Sequence, residues 1–280
     1  MSYGKAYTVD DKFIYTYGIE YYLAEHCNLS CKGCSQSSPF AQKKLSSLLE
    51  FEFCLDKIEP YLRPDRISFL GGEPLLNPQI LDFIKIAKQS KIFNRTFITT
   101  NGLLLKKAPS ELWQLLDNIE ISIYPANYSS INKNISLFLQ MAKEHNTELS
   151  FSPKNSFNHI LFSTQIPKDL VKIVYTKCFY KNYCHTLYNK RFYKCAPSTS
   201  SHHYLKHFTS INTSNSEDYI DLENAQDLRS EFITYFESPM PLGVCNFCAG
   251  SSGTAFQNEQ IQGNQIPTNE FSLNKLDIYE

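Results

Sequence analysis

Strand-like and helix-like segments alternate along the first part of the chain, and this alternation limits the fold more than any other feature. Six short segments rich in β-branched and aromatic residues are typical of strands, at 19–26, 66–72, 95–102, 119–125, 148–152 and 159–163. Helical patterns separate the first five, at about 45–63, 78–90, 109–117 and 129–145. Strands joined by helices form a parallel sheet with right-handed crossovers. The sequence therefore predicts an α/β fold, either a doubly wound sheet or a barrel.

The loops after the first four strands contain residues with distinctive chemistry. HCNLSCKGC follows the first strand, GGEP the second and TTNG the third, while SIYP ends the fourth. In both predicted architectures, ligands bind at the carboxyl ends of the strands. The four loops therefore predict one site at a single rim.

Charge and hydropathy exclude several classes of protein. The 27 basic and 28 acidic side chains nearly cancel, so no overall charge attracts the chain to nucleic acid or a membrane surface. No apolar run approaches the roughly 20 residues of a spanning helix, and the N-terminus lacks a signal-peptide pattern. We expect a cytoplasmic protein with no nucleic-acid or membrane partner. In a reducing compartment, its nine cysteines are thiols or metal ligands rather than disulfides.

Three of these cysteines are crowded into one loop. Cys27, Cys31 and Cys34 follow a C-x3-C-x2-C spacing, which allows three thiolates to converge on one face of a metal centre. Structural zinc normally takes four ligands in paired C-x2-C units, whereas this set has three with unequal spacing. An iron-sulfur cube with one open iron fits better. The isolated Cys54 lies in an apolar helical pattern and is expected to be a buried core residue.

This loop resembles the cluster loop of the radical S-adenosylmethionine (SAM) superfamily. The resemblance implies a partial (β/α)6 barrel of the TIM type over residues 1–165. It also implies a 4Fe-4S cluster on the three cysteines whose open iron binds SAM. Gly71, Gly72, Glu73 and Pro74 match the family's GGEP segment, which contacts the amino group of SAM. Paired glycines allow close backbone approach and a carboxylate can pair with an ammonium, although the same residues also suit a plain turn.

Three further positions bear on the SAM site. Ser122 matches the position at which the family places a polar contact to the ribose, and Asn101 lies on the same rim. Polar residues at strand ends also often satisfy backbone groups, which is the alternative for both. Gly33 departs from the family, which usually has an aromatic residue there to cover the adenine. Another aromatic side chain must then cover the base, or the base is bound differently.

The alternation of strands and helices stops near residue 165, where we place a domain boundary. We expect a small cysteine-rich domain over residues 166–252 and a polar tail with little structure over 253–280. Within the domain, LYNKRFY is typical of a hairpin that turns at Asn189 and Lys190, and a helix is expected at about 220–237.

The cysteines of this domain resemble the auxiliary-cluster domain, called a twitch domain, of the 2-deoxy-scyllo-inosamine dehydrogenase family. Longer SPASM domains begin in the same way but contain further cysteines. The resemblance implies a second 4Fe-4S cluster on Cys178, Cys195, Cys245 and Cys248, although four thiolates also suit zinc. The family pattern favours Cys178 over Cys184 as the first ligand. Cys184 is then a candidate catalytic hydrogen-atom donor, or a packed or substitute-ligand residue.

Both resemblances together imply a radical SAM oxidoreductase of the dehydrogenase type. An external one-electron reductant such as flavodoxin or ferredoxin would supply the electron that cleaves SAM to a 5′-deoxyadenosyl radical, which abstracts hydrogen from substrate. In the dehydrogenases, the substrate radical then loses a proton to a base and an electron to the auxiliary cluster, so an alcohol becomes a ketone.

The substrate is expected to be a small polyhydroxylated molecule such as a sugar, cyclitol or nucleotide sugar. Polar side chains near the hairpin favour such a ligand, although they also suit a solvated face: Lys190, Arg191, Lys194, His202 and His203. The alternatives are a radical SAM epimerase, a peptide-modifying maturase and a zinc-stabilised binding protein without catalytic activity.

Overall fold

The computed structural model describes residues 7–208 and 216–262, which form eleven strands and eight α-helices. The strands are β1 (Tyr7–Val9), β2 (Ile14–Ala24), β3 (Leu62–Gly71), β4 (Arg95–Thr100), β5 (Asn118–Ile123), β6 (Glu148–Pro153), β7 (Ser156–Asn158), β8 (His185–Tyr188), β9 (Arg191–Tyr193), β10 (Tyr219–Asp221) and β11 (Ala255–Gln257). The helices are α1 (Leu48–Ile58), α2 (Ile80–Ser90), α3 (Ser110–Leu115), α4 (Tyr128–His145), α5 (Lys168–Lys177), α6 (Tyr180–Tyr183), α7 (Ala196–Leu205) and α8 (Leu228–Glu237). Among the described helices, none is both long and apolar enough to cross a membrane.

One large sheet organises the molecule. Its strand order is β10-β9-β8-β2-β3-β4-β5-β6, and β1 pairs with β2 off this path. The six strands from β8 to β6 are parallel neighbours, while β9, β10 and β1 pair antiparallel. The end strands β10 and β6 do not pair with each other in the described chain, so the barrel is unclosed. The predicted α/β fold with a partial barrel is confirmed.

Alternate residues of β2 face opposite sides of the sheet. Tyr21 and Leu23 are fully buried against the helices, and the Tyr21 ring centroid lies 4.4 Å from that of Phe51 in α1. Cys54 is also fully buried in this core, as expected for an isolated helical thiol. Glu20, between the core residues of β2, faces the interior of the barrel. The strand thus divides an apolar outer core from a polar inner wall.

Segment 159–163 is not a strand, so that prediction is wrong. Leu161 forms a single bridge with Cys248, and the buried Phe162 packs beside α5. The segment is apolar because it packs against the cysteine-rich region. In so short a segment, an apolar pattern of this origin cannot be distinguished from that of a buried strand. The sixth parallel strand is instead β8, which pairs with β2 through Ile19 and His185.

The predicted hairpin is confirmed by β8 and β9. Asn189 and Lys190 form its two-residue turn with φ of 50° and 57°, the left-handed conformation that tight hairpin turns require. The helix expected at about 220–237 is shorter, because β10 occupies its start and α8 begins at Leu228. Helices α5 and α7 were not predicted.

The main sheet and its core extend across residue 165. Leu187, Phe192 and Phe232 belong to the same buried cluster as the core of the first half. The division into two domains at this point stays a prediction. The expectation of an unstructured tail is wrong for its first part, because β11 pairs with β7 at residues 255–257. Residues 263–280 of that tail lie outside the described residues.

Candidate active site

The segment of residues 26–38 after β2, here called the cluster loop, gathers the first three cysteines. The amide of Cys34 donates to the carbonyl of Cys31 at 3.3 Å, and the amide of Leu29 donates to Cys27 Sγ at 3.4 Å. Burial, with added repulsion from the other two thiols, raises the pKa of Cys27 to about 12. The three thiols thus share one partly buried loop, where their thiolates would need a cation.

Gly71 and Gly72 let the end of β3 contact the cluster loop directly. A Cβ at Gly71, where φ is +131°, would lie 2.2 Å from the carbonyl oxygen of Ala24, and one at Gly72 would lie 2.1 Å from that of His26. The amide of Gly72 donates to Ala24 at 2.8 Å. The glycines are thus required for backbone contact between two loops, a role beyond the predicted approach to a ligand.

Glu73 is fully buried and bonded to protein groups. Its Oε1 accepts from the Thr100 hydroxyl at 2.6 Å and the Leu75 amide at 3.2 Å, and its Oε2 accepts from the Asn101 amide at 2.9 Å. Burial raises its pKa to about 7. The carboxylate therefore joins the GGEP loop to the loop after β4, and its predicted contact with an ammonium stays a prediction.

Asn101, directly after β4, contacts the cluster loop. Its Nδ2 donates to Asn28 Oδ1 at 2.6 Å and lies 3.6 Å from Cys27 Sγ. Buried Asn127 holds this region together, because its Nδ2 donates to the carbonyls of Asn101 and Ser122 at 2.6 Å and 2.9 Å. The strand ends after β4 and β5 thus meet at the cluster loop. No sequence motif singles out Asn127, which precedes α4 as an ordinary polar residue.

Two further features surround Ser122 and Gly33. Tyr124 hydrogen-bonds Ser122, and burial followed by the nearby thiol of Cys34 raises the pKa of Tyr124. At Gly33, where φ is +68°, an added Cβ would lie 2.4 Å from Cζ of Phe256. An aromatic ring of β11 therefore lies against the cluster loop at Gly33. A small open pocket lies beside the cluster loop, lined by Lys32, Gly33, Cys34, Ser37, Phe40, His159, Ile160, Leu161 and Tyr204.

Four cysteines of the second group line one small cavity. These auxiliary thiols are Cys178, Cys195, Cys245 and Cys248. Gly250, with φ of +53°, closes the cavity, since a Cβ there would lie 2.8 Å from Cys178 Sγ. Among the described side chains, no three Cys, His, Asp or Glu are placed to share a single metal ion. Four thiols around one cavity are the donor set that an iron-sulfur cube requires.

Lysine side chains lie beside the auxiliary thiols. Lys194 is almost completely buried, and its Nζ donates to the Tyr175 hydroxyl at 3.1 Å. Burial lowers the pKa of Lys194 to about 8, although Cys195 and Cys245 act in the opposite direction. Lys181 lies near the same thiols. The cations offset the negative charge that four thiolates with iron would have, so the residues fit a cluster.

Cys184 lies apart from the auxiliary cavity, facing the inner wall. Its thiol is beside the carboxylate of Glu20, and burial followed by this carboxylate raises the pKa of Cys184. Burial also raises the pKa of Glu20 to about 7. Glu20 could not be singled out from the sequence, since a single acidic residue within a strand is not a motif.

The polar side chains of the hairpin region do not form one patch. Lys190 pairs with Glu223 at 2.6 Å, and the Arg191 guanidinium lies 4.0 Å from the ring centroid of Tyr219. His203 Nε2 lies 3.5 Å from Glu25 Oε2, and the ring of the adjacent His202 is tilted by 42° against it at a centroid distance of 3.9 Å. Lys194, as described, belongs to the auxiliary thiols. A common substrate surface on these five residues therefore does not form.

Residues 21–148 match the sequence profile of the Radical SAM superfamily, and this span contains the cluster loop and the GGEP loop. This match supports a radical SAM enzyme. The conclusion agrees with the arrangement of three thiols at the carboxyl end of β2 in an unclosed parallel barrel.

Curated radical SAM relatives match part of the chain. Molybdenum cofactor biosynthesis protein 1 of Bos taurus is 30% identical over 138 residues, 47% of this chain and 22% of that protein. GTP 3',8-cyclase of Aliarcobacter butzleri is 32% identical over 116 residues, 40% of this chain and 35% of that protein. The chain thus spans only about a fifth to a third of the length of these relatives.

A solved radical SAM structure has the same fold over most of its length. The crystal structure of BtrN in complex with AdoMet and 2-DOIA superimposes with a TM-score of 0.53 at 17% identity, covering 85% of this chain and 94% of that chain. At this identity the likeness concerns the fold. Because the superposition covers 85% of this chain, it includes part of the region after residue 165.

Proposed function

We propose that this chain is a radical SAM oxidoreductase that oxidises an alcohol of a small polyhydroxylated molecule, such as a sugar, a cyclitol or a nucleotide sugar. The observation that carries the proposal is a pair of buried oxygen atoms on the inner wall, one from Glu20 and one from Tyr22, that make no hydrogen bond to any described residue. The two atoms are Glu20 Oε2 and Tyr22 OH. Buried polar groups are normally paired, so these two suit a ligand rich in hydroxyl groups.

Tyr22 lies between the two groups of thiols. Burial raises its pKa most strongly, followed by the charges of Glu20, Cys184 and Cys34. A substrate at Tyr22 would therefore be near both the cluster loop and the auxiliary region. This position supports a reaction that uses both.

Neighbouring strands continue the polar inner wall. Ser68 of β3 and Thr186 of β8 are register partners of Glu20, so all three face the same side of the sheet. Glu120 of β5 pairs with Ser150 of β6 further along the same side. Hydroxyl and carboxylate groups from five strands thus share the inner side of the sheet, which favours a polar ligand over an apolar one.

The thiols of the chain would hold the cofactors of this family. Cys27, Cys31 and Cys34 would bind a 4Fe-4S cluster together with SAM, and the auxiliary thiols would bind a second cluster. When bound, these groups supply one-electron cleavage of SAM, a radical that abstracts hydrogen, and an electron acceptor. The proposal includes a cytoplasmic location and an external reductant of the flavodoxin or ferredoxin type.

Glu20 is the candidate proton acceptor for alcohol oxidation. Its carboxylate lies on the inner wall, and its pKa of about 7 suits a general base near neutral pH. Arg66 lies close enough to lower that pKa and so keep part of the population ionised. We expect Glu20→Gln to lower substrate turnover by about 10²–10⁴-fold while SAM binding is unchanged, measured as product formation against SAM affinity.

Cys184 supports a second candidate, a radical SAM epimerase. Its partly exposed thiol faces the same wall as Glu20, where it would return a hydrogen atom to a substrate radical. Turnover in deuterated water separates the two reactions, because an exchangeable thiol would place deuterium on carbon and dehydrogenation would not.

Anaerobic reconstitution followed by reduction with SAM tests the main proposal. We expect about eight irons per chain and release of 5′-deoxyadenosine. About four irons would contradict the second cluster, and an iron-loaded protein that does not cleave SAM would contradict the radical chemistry. A panel of sugars, cyclitols and nucleotide sugars, with GTP included, identifies the substrate, and selective consumption of GTP would favour a cyclase instead.

A further inference from the structure

Lys194, directly after β9, is a buried lysine without a carboxylate partner. The residue is 2% exposed, and no carboxylate of the described chain forms an ion pair with its ammonium. The buried carboxylate of Asp218 is bonded instead to the amides of Gly243 and Val244. Buried lysines are almost always paired, because taking an ammonium out of water is costly. A counter-charge for Lys194 must therefore come from another source.

Two tyrosines fix the position of this ammonium. Lys194 Nζ donates to the Tyr175 hydroxyl at 3.1 Å and lies 4.7 Å from the ring centroid of Tyr235. The Tyr235 hydroxyl also accepts from the Lys194 amide at 3.1 Å, which holds the backbone in place. Both rings pack in the same buried cluster as Cys195 and Cys245. The positive charge is thus held beside the auxiliary thiols.

A second ammonium approaches the same tyrosine. Lys181 Nζ lies 4.3 Å from the ring centroid of Tyr175, and Lys181 lines the auxiliary cavity. Within residues 7–208 and 216–262, Lys181 has no carboxylate partner either. Two cations at one ring repel each other unless an anion lies near them. The auxiliary thiolates are the anion that fits, because an iron-sulfur cube on four thiolates keeps a net negative charge.

We propose that Lys194 sets the reduction potential of the auxiliary cluster, an inference that rests on the proposed function. One-electron reduction adds a negative charge to such a cluster, and a fixed ammonium nearby stabilises the added charge. Burial strengthens this effect, because little water lies between the charges to screen them. Lys194 thus makes the cluster a better acceptor for the electron that a substrate radical loses, while the proton goes to a base such as Glu20. The lysine acts through the cluster and does not contact substrate.

A redox titration of the reconstituted full chain tests this inference. Electron paramagnetic resonance reports the reduced fraction of each cluster, and the first cluster is recognised by the change of its signal when SAM is added. Lys194→Met replaces the ammonium with an apolar chain of similar length. We expect its auxiliary cluster to shift about tenfold toward the oxidised form, which is a potential lower by about 59 mV for one electron. The first cluster, in the same sample, should keep its potential.

Two further variants separate charge from packing. Lys190→Met is the matched control, because it removes the same charge from a side chain that is 40% exposed and already paired with Glu223. Its auxiliary potential should equal that of the wild type. Lys194→Arg keeps the positive charge in the buried position and should stay close to the wild type.

The outcomes also separate the inference from the proposed function. If the wild type has no reducible second cluster, the two-cluster part of the proposed function fails. If the wild type has this cluster and Lys194→Met leaves its potential unchanged, only the role of Lys194 fails. An equal shift in Lys194→Arg would also overturn that role, because packing and not charge would then be responsible. If Lys194→Met takes up no auxiliary iron, Lys194→Gln is titrated in its place with the same expected shift.

Discussion

Gly72→Ala tests whether contact between the GGEP loop and the cluster loop controls the first metal site. The added Cβ would lie 2.1 Å from the His26 carbonyl oxygen and 2.8 Å from the Cys27 amide nitrogen, both of which are backbone atoms. Relief requires a shift of about 1 Å, and overpacking of this kind costs about 1–3 kcal/mol. For a chain of 280 residues, about 3 kcal/mol corresponds to a melting temperature lower by about 5 °C.

The same shift would displace Cys27, which lies directly after His26. We therefore expect the variant to lose the iron of the first site and retain that of the auxiliary site, so that iron falls from about eight to about four per chain. The assays are iron quantification after anaerobic reconstitution and calorimetric unfolding. SAM cleavage should fall in parallel with the lost iron.

Gly18→Ala on β2 is the matched control. Its added Cβ would also be crowded, by Cγ of Arg66 at 2.8 Å and the Arg66 carbonyl oxygen at 3.1 Å, but this contact contains no atom of the cluster loop. We expect it to retain full iron loading. If Gly72→Ala also retains full iron and cleaves SAM normally, the reasoning from backbone contact is refuted.

Three other predictions follow from buried groups. Burial raises the pKa of Glu73 to about 7, against 4.5 in the unfolded chain, so the free energy of unfolding falls by up to about 3 kcal/mol as pH rises through this window. Glu73→Gln should flatten this fall in urea unfolding measured between pH 5 and 8. An unaltered pH dependence in the variant would contradict the prediction. Cys178→Ser should lose the auxiliary iron and Cys184→Ser should keep it. The reverse result would show that Cys184, and not Cys178, is the fourth ligand. Gly250→Ala should lose the same iron, since its Cβ would contact Cys178 Sγ, and retention would place that thiol outside the cluster.

The parts of the fold that local sequence patterns encode were predictable. Periodicity fixed β2 to β6 and the helices between them, and the turn at Asn189 and Lys190 was readable from residue type alone. Since parallel strands end at one edge, the pattern also placed the cluster loop beside Gly72 and Asn101. These contacts follow from geometry that any parallel sheet shares.

Other parts depend on contacts between distant positions and leave no local signal. β8 joins the sheet beside β2, although over 160 residues separate the two strands in the sequence. No local pattern reveals this pairing, and the strand-like segment 159–163 predicts the sixth strand instead. Phe256 reaches Gly33 from a polar segment that resembles a disordered tail. Glu20 gains its surroundings only when β2 and β8 pair. In each case, tertiary packing decides what the short segment becomes.

The parallel pairing of β2 with β8 also determines how the molecule can be divided. A chain that ended near residue 165 would leave the edge of β2 around Ile19 without its neighbour and would uncover the core beneath Phe192 and Phe232. An open edge of this kind invites pairing with other chains. The barrel and the cysteine-rich region therefore cannot be exchanged as independent modules, and any engineered fusion must carry the β8–β9 hairpin with the barrel.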